Sequence, residues 1–285
     1  MRRIALLADR LRVEERLIVE ACASRGLEAV LLPPARIYLS LDAPSVGVFD
    51  VAIERGTVTP ERAALSALLA SGGTLVVNRA ATARLLADRL ALVRHLVYYG
   101  VPMPPTAVSF GEEATFAAIE GVGYPVILKS VVVDPDVPVA LVEDRDAAEA
   151  IVEHRMMLGN EQAVLVQRFA AGRSRTVRLT IVGHDLVGIE ARRNSGWRPA
   201  REAPWEPYEG DAGPLEAIAA HLETKLGSGI YAIEVLEVDD GPVVVGVTNL
   251  VDFRSLVERG TDVAGAIVDF AVSEVRRKGD EGYRG

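Results

Sequence analysis

The first 78 residues alternate between short apolar runs and amphipathic stretches, and this alternation constrains the fold more than any other feature. Amphipathic spacing over 13–25 and 60–70 predicts two helices. The predicted strands are the apolar runs at residues 3–8, 29–32, 46–53 and 74–77. Strands that alternate with helices predict a mostly parallel sheet with helices on both faces. No G-x-G-x-x-G sequence follows the first strand, so a dinucleotide-binding fingerprint is absent.

A proline cluster at 102–105 follows a predicted helix over 79–100 and marks a candidate domain boundary. Beyond it, the order of predicted strands and helices is mixed, which predicts two lobes of the α+β class. The last predicted helix covers 261–277. The predicted organisation is an N-terminal βα domain at 1–100, a central lobe at 101–170, a C-terminal lobe at 171–278 and a flexible tail at 279–285.

Charge and hydropathy limit the classes of function. Lysine and arginine total 31 against 40 acidic residues, a formal net charge of −9, whereas nucleic-acid binding needs a clustered basic face. No apolar run approaches the ~18 residues of a membrane helix. The run Ile4–Ala8 after the basic start is shorter than the roughly 7–15 residues of a signal-peptide core. We therefore expect a cytoplasmic protein without nucleic-acid or membrane partners.

Two cationic side chains stand at positions where a charge needs an explanation. Lys129 ends the apolar strand Val126–Lys129, where an ammonium group is costly unless it is paired or binds a ligand. A strand-end lysine that reaches water explains the same pattern. Arg178 shares one face of an alternating strand with Thr176 and Thr180. On the residues alone, a solvated strand face is the simpler interpretation for Arg178.

Two further polar residues lie in the last two predicted strands. Glu234 shares a strand face with Ala232 and Leu236, so it is either a partly buried charge with a partner or an exposed edge position. Asn249 ends the final strand, in phase with Val247, where turn chemistry is the simplest interpretation.

The densest positive region lies between residues 173 and 201. Its members are Arg173, Arg175, Arg178, Arg192, Arg193, Arg198 and Arg201. Guanidinium groups bind phosphate or carboxylate through paired hydrogen bonds, and these arginines converge on two neighbouring strands. This favours an anion site over a solvated face with acidic partners. The irregular stretch 194–213, which carries Trp197 and Trp205, is long enough to suggest a functional loop.

Taken in order, these segments resemble the ATP-grasp superfamily, in particular the RimK-like ligases and the LysX-type ligases of lysine biosynthesis. The most specific match is Gly123–Lys129, and the resemblance covers nearly the whole chain. Other matching segments are Ala8–Arg16, Val76–Arg79, Ala87–Arg89, Val166–Phe169, Val177-Arg178, Arg192-Arg193, Ala232–Glu234 and Asn249 with Phe253. The resemblance implies an ATP-grasp fold: an N-terminal Rossmann-like domain, a small central α+β lobe and a larger C-terminal α+β lobe.

In that family, ATP and Mg²⁺ bind between the two lobes, a carboxylate is converted to an acyl phosphate, and an amine attacks it. The resemblance implies these roles: Arg89 and Lys129 at the ATP phosphates; Gln167, Arg168 and Phe169 at adenine; Arg178 as the catalytic arginine at the phosphate or acyl phosphate; Arg192 and Arg193 at the substrate; Glu234 and Asn249 at the metals. It also implies a small carboxylate or a carrier protein as acceptor, and a homo-oligomer.

The chain departs from the family pattern at the nucleotide and metal positions. Arg89 replaces a lysine, the segment 133–137 has lost the glycines of the phosphate flap, and Val247 replaces a metal-bridging glutamate. Mg²⁺ requires oxygen ligands, which valine does not supply. Loss of phosphate positioning and charge neutralisation predicts weakened or lost Mg-ATP catalysis. The alternative is a non-catalytic paralogue that binds a nucleotide, a metabolite or a partner protein.

Overall fold

The computed structural model describes residues 3–44, 47, 49–57, 59–131, 139–157, 163–170, 175–199 and 203–282. In this part of the chain the strands form a four-stranded N-terminal sheet, a four-stranded central sheet and a six-stranded C-terminal sheet. The mixed α/β and α+β architecture predicted from the sequence is confirmed. No helix in the described ranges combines the length and apolar character needed to cross a membrane.

The N-terminal sheet is parallel throughout, with strand order β2-β1-β3-β4. Its strands are β1 (Arg3–Leu7), β2 (Glu28–Leu31), β3 (Val51–Glu54) and β4 (Leu75–Val77). The helices between them are α1 (Val13–Ser24) and α2 (Pro60–Ser71), and a short 3₁₀ turn covers Pro34–Arg36. Buried Ile4 and Leu6 of β1 share one apolar core with Ile18 of α1. Two of the residues predicted in the third strand, 46 and 48, lie outside the described ranges.

The segment predicted as one helix over 79–100 is two helices, α3 (Ala80–Ala87) and α4 (Arg89–Tyr98). The helix is interrupted at Asp88, whose backbone is extended. The Asp88 carboxylate accepts a hydrogen bond from Ala91 N at 2.9 Å. This is ordinary N-cap chemistry, in which a side-chain oxygen satisfies a backbone donor of the first helical turn. The break places Arg89 at the start of α4, where its backbone N–H donates to Val131 O at 2.9 Å.

The central sheet has strand order β5-β8-β6-β7, with all pairs antiparallel. Its strands are β5 (Thr106–Ser109), β6 (Val126–Ser130), β7 (Ala140–Val142) and β8 (Val164–Arg168), and its helices are α5 (Glu112–Val122) and α6 (Arg145–Met157). Val126, Leu128 and Val166 pack into the apolar core with the helices. Because strand residues alternate between faces, Lys129 and Gln167 lie on the opposite face.

The C-terminal sheet runs β11-β10-β9-β13-β14, and β12 also pairs with β10. Its strands are β9 (Arg175–Gly183), β10 (Asp185–Ser195), β11 (Arg198–Pro199), β12 (Glu206–Pro207), β13 (Gly229–Val238) and β14 (Gly241–Thr248). Helix α7 (Gly213–Leu226) packs against one face through Leu215 and Leu222, in a core that includes Leu179 and Ile233. The stretch predicted as irregular therefore contains two short strands that extend this sheet at β10.

Two helices complete the chain, α8 (Arg254–Glu258) and α9 (Val263–Gly282). Helix α9 continues to Gly282, so the residues after Lys278 that were expected to fray begin as helix, and 283–285 lie outside the described residues. Ile267 of α9 shares the apolar core of Ile18 and Leu6, which joins the C-terminal helix to the N-terminal sheet.

A second junction places the end of β14 against the N-terminal sheet. The buried Arg55, directly after β3, donates from Nη2 to Val251 O at 2.9 Å and from Nε to Glu15 at 3.1 Å. Asn249 donates its side-chain amide to Gly56 O at 2.8 Å. These bonds fix the segment that follows β14, which carries Asn249, one of the predicted metal ligands.

Candidate functional site

One row of residues crosses four strands of the C-terminal sheet on the face away from α7. The strand register pairs Glu190 of β10 with Arg178 of β9, Arg178 with Glu234 of β13, and Glu234 with Gly246 of β14. Arg192 lies on the same face, two residues beyond Glu190. The face therefore carries alternating charge at its centre, whereas the opposite face is apolar.

Glu190 organises the cationic end of this row. It is fully buried and accepts hydrogen bonds from Arg178 Nη2 at 2.6 Å, from Ser255 Oγ and from Arg259 Nη2. A buried carboxylate is stable only when its oxygens are paired, and here three donors converge on it, one from β9 and two from α8 and its C-terminal end. Arg178 is thereby fixed on the sheet, with its side chain 7% exposed.

The indole ring of Trp205 lies against both arginines of this face. The Cζ atoms of Arg178 and Arg192 lie 4.0 and 4.5 Å from the ring centroid, within the range of cation–π contacts. Arg259 Nη1 donates to Trp205 O at 3.2 Å, so the residue that completes the Glu190 cluster also holds the Trp205 backbone. The Nε atoms of Arg178 and Arg192 are buried without a hydrogen-bond partner.

The structure divides the predicted arginine cluster. Arg178 and Arg192 come together, and burial together with the neighbouring Arg178 lowers the pKa of Arg192. Arg175 pairs elsewhere, with Glu237 at 3.1 Å, and Arg193 is exposed. Arg173 and Arg201 lie outside the described residues, and for Arg198 the backbone alone is described. Of the seven arginines in the predicted anion site, the structure brings two together, Arg178 and Arg192.

Lys129 connects the central lobe to the C-terminal lobe. Its Nζ donates to Gln167 Oε1 at 2.8 Å within the central sheet and to Val245 O of β14 at 3.2 Å. We call the region between these two sheets, which the Arg178 face of the C-terminal sheet borders, the cleft. Burial, and after it the neighbouring Arg89 guanidinium, lower the pKa of Lys129 to about 8, although the Glu234 carboxylate opposes this shift. The lysine is therefore held in the cleft with its amine partly buried and does not extend into water.

The other residues expected at the nucleotide surround this lysine to different degrees. Arg89 donates from Nη1 to Ser130 O, next to Lys129. Gln167 is buried and donates to Thr106 Oγ1 at 2.9 Å. Arg168 is exposed, and Phe169 N donates to Pro125 O at 2.9 Å, which extends the pairing of β6 with β8 by one residue. Residues 133–137, the segment that lacks flap glycines, lie outside the described ranges.

The metal positions differ from the sequence interpretation. Val247 pairs with Ile233 and packs in the core beneath α7, on the face opposite Glu234. Gly246 pairs with Glu234, so the next residue, Val247, alternates to the other face. On the far side of Gly246, Val235 pairs with Val244, which leaves Val245 as the extra residue of a bulge. The β14 residue beside Glu234 is Gly246, where an added Cβ would meet Glu234 Oε2 at 3.3 Å.

These residues do not fit a pair of Mg²⁺ ions. Glu234 has glycine as its cross-strand neighbour on β14, and the side-chain amide of Asn249 is directed to Gly56. In the described ranges, no three His, Cys, Asp or Glu side chains are grouped so as to hold a metal ion. Magnesium sites rely on carboxylate oxygens. One carboxylate and one amide supply less negative charge than two metal ions require.

Sequence reasoning did not identify Glu190, Ser255 or Arg259 as members of the site, and it noted Trp205 only as part of a loop. Glu190 carried a usable signal, because it alternates in phase with Arg192 on the strand next to Arg178. Arg259 and Ser255 lie about 65 residues further along the chain, and no local pattern predicts their contact with Glu190.

Comparison with known proteins assigns the class. The LysX preATP-grasp domain matches residues 4–85, and the RimK-like ATP-grasp domain matches residues 85–271. The chain belongs to the RimK-like ATP-grasp family. A glutamate–LysW ligase, ArgX, of Sulfolobus acidocaldarius is 27% identical over 282 residues, which is 96% of this chain and all of the relative. An alpha-aminoadipate–LysW ligase, LysX, of Sulfurisphaera tokodaii is 23% identical over 89% of this chain and 92% of the relative.

Solved structures agree with this assignment. The crystal structure of a RimK domain ATP-grasp protein from Sphaerobacter thermophilus is 62% identical, with a TM-score of 0.88, covering 94% of this chain and 99% of that one. A D-alanine–D-alanine ligase from Bacillus anthracis complexed with ATP is 17% identical, with a TM-score of 0.73 over 99% of both chains. The second similarity shows the ATP-grasp fold alone.

Proposed function

We propose that this chain is an ATP-grasp protein that binds a nucleotide between its central and C-terminal lobes and has weakened or lost Mg-ATP-dependent ligation. The observation that carries this proposal is the pairing of Glu234 with Gly246 in place of a second carboxylate. Phosphoryl transfer depends on positioning and on neutralising the charge of the phosphates. Of the positions where the resemblance places metal ligands, Glu234 is the one that holds a carboxylate, which supplies too little of that neutralisation.

Nucleotide binding is supported by the cations that remain. Lys129 and Arg89 lie close enough for the guanidinium to lower the pKa of the lysine. A phosphate group placed near one of these cations would therefore also be attracted by the other. A bound phosphate would offset the burial of Lys129 by pairing its ammonium group. Gln167 lies beside Lys129 on β8, at the segment that resembles the adenine site.

The second ligand we propose is a carboxylate, carried by a small molecule or by a carrier protein. Arg178 and Arg192 supply guanidinium groups with unpaired Nε donors, whereas Arg193, the next residue on β10, alternates to the other face. The LysW-ligase names of the relatives favour an amino acid and a carrier protein as the reaction partners of those relatives. For this chain the retained chemistry is recognition of an oxyanion next to the nucleotide.

A thermal-shift titration with ATP, ADP and AMP, each with and without Mg²⁺, tests nucleotide binding. A ligand at 100 times its dissociation constant adds about 2.7 kcal/mol to the stability. We expect ATP to stabilise the chain, Lys129→Ala to remove most of the shift, and Lys225→Ala to leave it intact. Lys225 is a matched control because its ammonium lies 5.0 Å from the ring centroid of Tyr99, away from this network.

An ADP-release assay with glutamate and other carboxylates tests the loss of ligation. The proposal predicts that a carboxylate raises ADP formation slowly or not at all, well below the ~1 s⁻¹ at the low end of typical enzymes. Mg²⁺-dependent ADP release that rises with a carboxylate to about 1 s⁻¹ or more, together with a ligated product, would show an active ligase and overturn the proposal. No stabilisation by any nucleotide would overturn it as well, because the retained cations would then serve another ligand.

A further inference from the structure

The arginine pair on the cleft face of the C-terminal sheet has two unusual features. Burial and, after it, the like charge of the neighbouring Arg178 lower the pKa of Arg192, while the carboxylates of Glu234 and Asp252 oppose the shift. Their Nε donors are buried and unpaired. A buried donor without a partner is costly, and native structures rarely retain one unless a ligand, an ion or a water satisfies it. Both features point to an anion as the missing partner.

Trp205 is the residue that brings these groups together. Strand β12 pairs with β10 at Ala191↔Glu206 and Glu190↔Pro207, which anchors the chain directly after Trp205 to the edge of the sheet. The indole ring then lies over the cleft face, against the Cζ atoms of Arg178 and Arg192. A π-face attracts both cations and leaves the N–H edges of the guanidinium groups available for hydrogen bonds.

The position of the ring is itself fixed. Arg259 donates through one Nη to Trp205 O and through the other to the buried Glu190. Glu190 in turn holds Arg178. Glu190 therefore holds Arg178 directly and holds the indole ring of Trp205 through Arg259. Arg192 is held by its contact with the ring.

We propose that Trp205 is a positioning residue that preorganises Arg178 and Arg192 into one receptor for an oxyanion, a carboxylate or a phosphate group. This inference rests on the proposed function, because it names the residue that prepares the oxyanion site of that function. The oxyanion accepts hydrogen bonds from the two unpaired Nε groups at the edge of the indole ring. Without the ring, the second arginine is free to leave the site, and the receptor is reduced to Arg178.

Calorimetric titration of the purified chain tests the proposal, with glutamate as the carboxylate probe, inorganic phosphate as the phosphate probe and sodium chloride at equal ionic strength as the control. We expect saturable binding of glutamate or phosphate and none of chloride, and the tighter of the two identifies the oxyanion. Trp205→Ala is expected to weaken binding at least tenfold. Trp205→Phe, which keeps an aromatic face, is expected to retain the affinity within about threefold.

Tryptophan fluorescence supplies an independent readout. In a Trp197→Phe chain, Trp205 is the remaining tryptophan, since the sequence has two. We expect its emission to change saturably with the same probe and the same dissociation constant as in calorimetry. Emission that stays constant while calorimetry shows binding would place the oxyanion elsewhere and overturn the proposal.

Three other results would overturn it: no binding of either probe, full affinity in Trp205→Ala, or equal losses in Trp205→Phe and Trp205→Ala. ATP binding in the unsubstituted chain separates this inference from the proposed function. Oxyanion binding without ATP binding contradicts the proposed function and leaves the Trp205 site standing. If the unsubstituted chain binds ATP and Trp205→Ala keeps its full affinity for the oxyanion probe, the proposed function stands and the role of Trp205 is contradicted.

Discussion

The two faces of the C-terminal sheet obey the same alternation and have opposite chemistry. On the α7 face, Leu179 and Ile233 pack with the apolar side of the helix. On the cleft face, Arg178 depends on Glu190 from the next strand, and Glu190 depends on donors from α8 and its C-terminal end. Apolar burial is non-directional and tolerates many neighbours, whereas a buried charge requires particular partners. The α7 face therefore supports the fold, and the cleft face carries the candidate site.

The largest expected effect comes from removing the carboxylate at the centre of the cleft face. Glu190→Ala leaves Arg178 and Arg259 without their shared partner, and removing one partner of a buried ion pair costs about 3–5 kcal/mol. Chemical denaturation measures the loss. Glu149→Ala is the control, since its partner Arg145 is exposed and such pairs contribute about 0–1 kcal/mol. Equal losses for both variants would contradict the difference between buried and exposed charge.

Truncation on the α7 face tests the other half of the comparison. Leu179→Ala removes a fully buried side chain and is expected to cost about 2–4 kcal/mol. The same denaturation experiment measures it. Below its melting temperature, this variant is expected to bind ATP and the oxyanion probes with unchanged affinity. A tenfold loss of affinity would show that the two faces are not separate in function.

The face assignment at β14 is tested by placing a carboxylate on either side. In Val247→Asp the carboxylate enters the core beneath α7 and is expected to cost about 2 kcal/mol, independent of Mg²⁺. In Gly246→Asp it stands beside Glu234, and we expect Mg²⁺ to raise the melting temperature of this variant. Mg²⁺ stabilisation of Val247→Asp in place of Gly246→Asp would restore the assignment made from the sequence.

The smallest expected effect concerns pH. Burial and Arg89 lower the pKa of Lys129 to about 8, so the lysine loses its proton, and with it its attraction for phosphate, as pH rises through that value. ATP affinity is expected to fall about tenfold, or about 1.4 kcal/mol, between pH 7 and pH 9. Lys129→Arg should remove this dependence, because arginine stays charged over the range. A pH-independent affinity in the unsubstituted chain would contradict the placement of Lys129 at the nucleotide.

The sequence predicts most of the fold because the relevant signals are local. Apolar runs and helical spacing in the first 78 residues predict the parallel sheet, and alternation along β9 predicts the face of Arg178. Two departures have local causes too. The carboxylate of Asp88 caps a second helix inside a continuous amphipathic pattern. Val247, which the resemblance places at a metal, follows the residue beside Glu234 and therefore lies on the other face of the sheet.

The partners of the site are a different case. The contact of Glu190 with Arg259 joins residues far apart in the chain, and the Arg55–Val251 bond joins the N-terminal sheet to the segment after β14. Such contacts depend on how the sheets dock, which hydrophobic periodicity does not specify. Metal binding by Glu234 and Asn249 and the formation of a homo-oligomer stay predictions of the resemblance.

The most direct test of the account is the affinity for ATP with and without Mg²⁺, measured by calorimetry at pH 7.5. A cleft that pairs phosphate through Lys129 and Arg89, and that has Gly246 beside Glu234, should bind ATP with dissociation constants that differ less than about threefold between the two conditions. Tightening by more than tenfold on addition of Mg²⁺ would show a working metal site and contradict the proposed loss of Mg-ATP chemistry.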